Sequence, residues 1–333
     1  MAIYNRIYTK SKWENVNIYN KNLINDYILQ IKAEGKTPDS VKQYFNDARI
    51  LAIFIMERLG NEPIYKLNRK SFRNYTLFLQ ENKMSPARIN RLLSTARNIL
   101  NFGLDDDEFE EDFEDCKASP SKIKGIQKEK VRDIVFLTDE EVHIIVDGLI
   151  ERGLYQKAFL CAFAYDSASR RKELYQVKRS DISLDDVICK TKVRGKRGKT
   201  YKPMYNELTK KAFKIYDESR TDDSDELWIT KDKDGNVRKA SYESLYVWAI
   251  SARSILREDA GIDKPFNLHS FRHSCAENLK KGTHYICKLT ERKFELAEIQ
   301  KLMNHSDIST TQSYLANTDE EDLISMYTTK KAS

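Results

Sequence analysis

Between Asp105 and Asp115, nine of eleven residues are acidic. A run of that kind stays in water, because burying carboxylates without partners is prohibitively costly. The folded mass of the chain therefore has to divide around it. Together with the following stretch, which carries Pro120, Gly125 and alternating lysines up to Lys130, the strip reads as a linker over residues 105–132. Setting aside its nine negative charges takes the formal balance of the 333-residue chain from +6 to +15. The remainder is thus distinctly basic, which points to a polyanionic partner.

Ahead of the strip, residues 1–15 show no clear period and read as an arm, and residues 16–104 carry four helical patterns. Ile18, Leu23, Ile24, Tyr27, Ile28 and Ile31 recur at helical spacing, and Gly35 ends that run. Thr37-Pro38 opens a second helix and Ser85-Pro86 a fourth, each a capping residue followed by a proline suited to the first turn. The third spans about Arg69 to Asn82. Arg69, Lys70 and Arg73 on the third helix, and Arg88, Arg91 and Arg97 on the fourth, are candidate contacts to a nucleic-acid backbone or groove.

Beyond the strip, Thr138 and Glu141 form a capping box ahead of an apolar run. The stretch from Leu154 to Ser167 is apolar nearly all round, the mark of a central buried helix. Two short strand-like runs, 186–192 and 200–205, flank a glycine- and lysine-rich tip at 193–199 that reads as a hairpin, with Gly195 and Gly198 available for positive φ. Residues 211–262 read as helical with one turn at Asp234-Gly235, with Tyr246, Trp248, Ile255 and Leu256 in the core. No run approaches the length of a membrane span, and the first residues lack the apolar stretch of a signal peptide. Five scattered cysteines without C-x-x-C spacing argue against a disulfide framework and a zinc site, and place the chain in a reducing cytoplasm.

The chemistry concentrates between His269 and Tyr314. His269, Arg272 and His273 share one helical face at i, i+3 and i+4, so two imidazoles and a guanidinium converge. A guanidinium fork fits phosphate oxygens, and an imidazole exchanges protons near neutral pH. His305 and Tyr314 follow, nine residues apart, and Arg170 with Glu173 stands about a hundred residues upstream. There is no phosphate-binding glycine loop and no pair of carboxylates of the metal-nuclease type, so neither a nucleotide nor a metal is expected.

In this order the residues resemble the tyrosine recombinases, the phage-integrase family of Xer- and Cre-like enzymes, over 164–204 and 266–314. The resemblance implies a mainly α fold with a small β-hairpin or sheet: a helical, SAM-like core-binding domain, then an α+β catalytic domain over 133–333 with a C-terminal tail helix. It implies site-specific cleavage and rejoining of double-stranded DNA through a 3′-phosphotyrosine. Arg170, Lys196, His269, Arg272, His305 and Tyr314 would be the catalytic set. His273 would serve as general base and Glu173 would orient the site. Lys199 and Lys192 stay open as alternatives to Lys196, with Lys199 also a candidate DNA contact. Dimers or tetramers on DNA, joined through the tail, would be the working assembly. Two departures stand out: Ala168 replaces the usual glycine, and 280–293 exceeds the usual spacing and reads as a surface excursion. A regulator that binds DNA on this fold without cutting it is the second reading.

Overall fold

The computed structural model describes residues 6–114, 116–127, 134–195 and 198–304. The chain forms two compact units, Met1–Val131 and Arg132–Ser333.

The first unit is a helical bundle: α1 (Lys10–Asn15), α2 (Ile18–Ala33), α3 (Pro38–Arg58), α4 (Arg69–Glu81), α5 (Pro86–Asp105) and the single turn α6 (Glu110–Phe113). The caps fall where the sequence put them. Thr37 Oγ1 accepts from Ser40 N and Ser85 Oγ from Arg88 N, each with proline at the next position. The segment ahead of α2 is no loose arm in its described part. Ile7 and Val16 are buried, and the Arg49 guanidinium stacks on Phe45 at 3.7 Å with Tyr8 and Trp13 around it.

The acidic strip also departs from a solvated linker. Its two aromatics, Phe109 and Phe113, are buried in the bundle core, and they hold the carboxylates between them at the surface. Gly103 makes this possible, since a Cβ there would lie 2.5 Å from the Phe113 ring. The chain then runs back along α5. Asn90 exchanges two hydrogen bonds with the backbone of Ile126, Arg97 donates to Ile123 O at 2.7 Å, and Ala118 and Ile123 are buried. A tally of charge missed this because only two apolar side chains anchor the strip.

The second unit is built around α8 (Tyr155–Ser167), every residue of which is buried from Ala158 onward. Against it pack α7 (Asp139–Glu151), whose capping box of Thr138 and Glu141 is formed, and α10 (Glu207–Glu218) and α13 (Leu268–Lys281). The short α9 (Arg171–Leu174) follows α8, and α11 (Tyr242–Ser251), α12 (Arg253–Ala260), α14 (Tyr285–Leu289) and α15 (Leu296–Leu302) are the other helices among the described residues. Two antiparallel hairpins are present among the described residues. The first pairs β1 (Val193–Arg194) with β2 (Thr200–Tyr201), shorter than the expected runs, with only an isolated bridge between Ile188 and Met204 further back. The second pairs β3 (Ile229–Lys231) with β4 (Val237–Lys239), where the sequence read as helix around a turn. Tyr246 is exposed rather than in the core, whereas Ile255 and Leu256 are buried.

The 280–293 segment lies at the surface over residues 288–293, but its centre is anchored in the core by His284 and Cys287. Gly282, in the left-handed region, ends α13, and the buried His284 stacks on Tyr165 with 4.3 Å between ring centroids. The Tyr285 hydroxyl donates to the buried Asp166, whose other oxygen accepts from Thr209 and from Asn206 N. Burial pushes the His284 imidazole down to about 3, so it stays neutral.

Candidate active site

The N-terminus of α13 brings His269, Arg272 and His273 onto one face. Asn267 caps the helix by accepting from His269 N at 2.8 Å, while its own N–H donates to Ser270 Oγ. The His269 and His273 rings meet edge to face at 4.7 Å, and His273 has Phe136 edge-on at 6.2 Å. The His269 pKa is lowered to about 4, first by loss of water and then by the charges of His273, Arg272 and Arg170. His269 itself lies at the surface, with Arg170 and Arg272 as its neighbouring cations. A neutral imidazole beside two arginines can donate to a phosphate without adding charge.

Arg272 is fully buried, which the sequence does not reveal. Its Nη1 donates to Ala168 O, at the C-terminus of α8, and its Nη2 donates to Met303 O at 2.7 Å, at the C-terminus of α15. Each is a carbonyl that a helix end leaves without an intrahelical partner, and each helix dipole favours a cation there. Ala168 turns the chain with φ 47°, a left-handed conformation that glycine adopts freely and alanine only at a cost. The turn expected of the usual glycine is thus retained by an alanine.

That turn delivers Arg170. Its backbone N–H donates to Glu173 Oε2 at 2.6 Å and its Nη1 to Glu173 Oε1 at 3.1 Å. Glu173 is buried, whereas the Arg170 side chain is 25% exposed, so the guanidinium is held from behind and reaches the surface. The first hairpin closes on the same carboxylate. Tyr201 donates to Glu173 Oε2 at 2.8 Å and shares a hydrogen bond with Ser169 at 3.0 Å. Gly195 is required by close approach, not by positive φ, since a Cβ would stand 2.9 Å from Glu173 Oε1; Gly198 does take φ 76°. Asn304, with φ 49°, lies beside Gly195. Lys199 is exposed at the base of the tip. Lys196, His305, Tyr314 and the tail lie outside the described residues.

The structure therefore gathers Arg170, Glu173, His269, Arg272 and His273. Tyr201, Ser169 and Asn304 were missed by sequence reasoning. For Tyr201 the available signal was its place on the strand that leaves the hairpin tip.

In the first unit, Arg69, Lys70 and Arg73 are exposed at the start of α4. Arg88 and Arg91 instead engage Asp47, at 2.7 and 3.0 Å. Asp47 is almost wholly buried, and desolvation, opposed by Arg88, raises it to about 6. Among the described residues, no group of three or more His, Cys, Asp or Glu is placed to hold a metal, and no helix is long and apolar enough to cross a membrane.

A model of the phage integrase family matches residues 135–321, more than half of the chain. The chain belongs to that family, the tyrosine recombinases that break and rejoin DNA. Among individual proteins it is 25% identical over 316 residues to the SPbeta prophage-derived recombinase-like protein YomM of Bacillus subtilis, covering 91% of this chain and 89% of that one. It is 26% identical over 301 residues to the tyrosine recombinase XerA of Thermococcus kodakarensis, covering 90% and 92%. The fold is shared with the Tn1549 transposon integrase in complex with circular intermediate DNA, with TM-score 0.62, 18% identity and coverage of 92% and 99%. It is shared too with a lambda integrase dimer bound to a COC′ core site, with TM-score 0.62, 14% identity and coverage of 87% and 96%.

Proposed function

We propose that this chain is a site-specific DNA recombinase in which Tyr314 attacks the scissile phosphate, forming a 3′-phosphotyrosine and freeing a 5′-hydroxyl. The observation that carries this reading is the pairing of Arg170, clamped by Glu173, with the buried Arg272 beneath the His269–His273 face. During attack, charge builds on the two non-bridging oxygens. Arg170 meets it from the surface and Arg272 from behind, so that less of it has to be neutralised by water. His273 takes the phenol proton, and Lys196 gives a proton to the leaving oxygen. His269 and His305 donate to the phosphate, and the low pKa of His269 suits that role. The covalent link conserves the energy of the broken bond for rejoining, so neither metal nor nucleotide takes part.

On this reading the exposed Arg69, Lys70 and Arg73 contact duplex DNA together with Lys199. Arg88, Arg91 and Arg97 contribute charge from positions already fixed by Asp47 and Ile123 O. The enzyme works in the cytoplasm as a dimer or tetramer joined through the C-terminal tail, with Met1–Val131 as its DNA-binding unit and Arg132–Ser333 as its catalytic unit.

The test is to incubate the protein with a nicked duplex taken from the DNA that flanks its gene, and to look for a covalent adduct on a denaturing gel. Wild type is expected to form the adduct and Tyr314→Phe to form none while still binding. Tight binding without any wild-type adduct would favour a regulator.

A further inference from the structure

We propose that Tyr201 is a positioning residue for cleavage: its hydroxyl holds the Glu173 carboxylate in place, and Glu173 in turn keeps the Arg170 guanidinium aimed at the scissile phosphate. The role rests on the recombinase reading given above.

The Glu173 carboxylate accepts three hydrogen bonds within the site. Two come from Arg170 itself, through its backbone N–H and its Nη1. Both of these bonds lie within one tight turn, so they tie the carboxylate only to its own local segment. The third donor is Tyr201, from a different element, 28 residues further along the chain. It supplies the outside reference. Burial and the Glu173 charge raise the phenol above its ordinary pKa, so it stays protonated and donates. Ser169, the residue before Arg170, meets the same hydroxyl, so both sides of the arginine's turn are tied to β2. On the other oxygen, the Cα of Gly195 leaves no room for a side chain, which confines the carboxylate from the hairpin side.

Tyr201→Phe keeps the ring and its packing and removes only the donor. It can be tested in the full chain on two nicked duplexes from the flanking DNA, one with an ordinary scissile phosphodiester and one with a neutral methylphosphonate at that position. A methylphosphonate carries one charge fewer, so less of the barrier depends on Arg170. On the phosphodiester, adduct formation by Tyr201→Phe should fall about 10-fold with DNA affinity unchanged, the lower end of what losing an outer hydrogen bond costs behind a metal ligand. On the methylphosphonate the deficit should shrink to less than about 2-fold, and adding Tyr201→Phe to Arg170→Ala should change the rate no further. An equal deficit on both substrates, or none on the phosphodiester, would overturn the role. A wild-type chain without adduct on the phosphodiester would overturn the recombinase reading and this role with it, whereas adduct from wild type with an unaffected variant would overturn this role alone.

Discussion

The two units solve the burial problem in different ways. The first buries helix faces: its core is aliphatic and aromatic, and its charged residues mostly stay at the rim, with Asp47 the main exception. The second carries Arg272, Glu173, Asp166, Asp181, Glu277 and His284 inside, each nearly or wholly removed from water. Ion pairs and hydrogen bonds have to offset that loss of hydration. The contrast suggests that the first unit is specified by hydrophobic pattern, which is forgiving, and the second by polar geometry, which is not.

The sharpest way to break this contrast is to compare arginines. Arg272→Ala should destabilise the second unit by about 3–5 kcal/mol, since it strips a buried cation from two helix-end carbonyls, and it should abolish the adduct as well. Arg97→Ala in the first unit loses one bond to Ile123 O at a partly exposed site and should cost about 1 kcal/mol. Thermal melting of both variants checks this, and equal costs would remove the distinction.

The same contrast explains what was legible in the sequence. Helices in the first unit could be read almost to the residue because Thr37-Pro38 and Ser85-Pro86 announce their starts, and helical periodicity needs only local information. In the second unit the spacing of His269, Arg272 and His273 was legible. The burial of Arg272 was not, because it depends on Ala168 and Met303 arriving from elsewhere in the chain. Tyr201 escaped notice for the same reason, since nothing local marks its hydroxyl as the partner of Glu173. The β3–β4 hairpin was hidden because short strands among polar residues give too few repeats to set a period. The acidic strip misled because charge dominates any window over it, while Phe109 and Phe113 decide where it goes.

A second test uses pH. Asp47 has a folded pKa of about 6 against an ordinary 3.8, so as the pH falls through 6 the folded chain takes up the proton first and the first unit gains stability. His284 has a folded pKa of about 3 against 6.5, so as the pH falls through 6.5 the unfolded chain takes up the proton first and the second unit loses stability. Between pH 6.5 and 4.5 each contribution should amount to about 2 kcal/mol, with opposite signs. Each is read as the difference in pH response between wild type and Asp47→Asn, or between wild type and His284→Gln, by hydrogen exchange in the unit concerned. Slopes of the same sign would contradict the assignment of one group or the other.

The smallest effect is expected at Ala168. Alanine to glycine at a buried helix end ordinarily destabilises, through the lost methyl group and the freer unfolded chain. Here relief of the left-handed backbone works the other way, so Ala168→Gly should change stability by less than about 1 kcal/mol. A melting curve showing a larger loss would mean that packing of the methyl, not backbone strain, dominates at this turn.

The Arg272 guanidinium joins residues that lie 104 and 31 positions away along the chain. Contacts between such distant segments form late in folding, after local helices have closed. A nascent or partly unfolded chain thus already carries its tyrosines but has not yet assembled the frame that would make any of them dangerous to DNA. Order of assembly then acts as a safeguard, and cutting becomes a property of the finished fold alone.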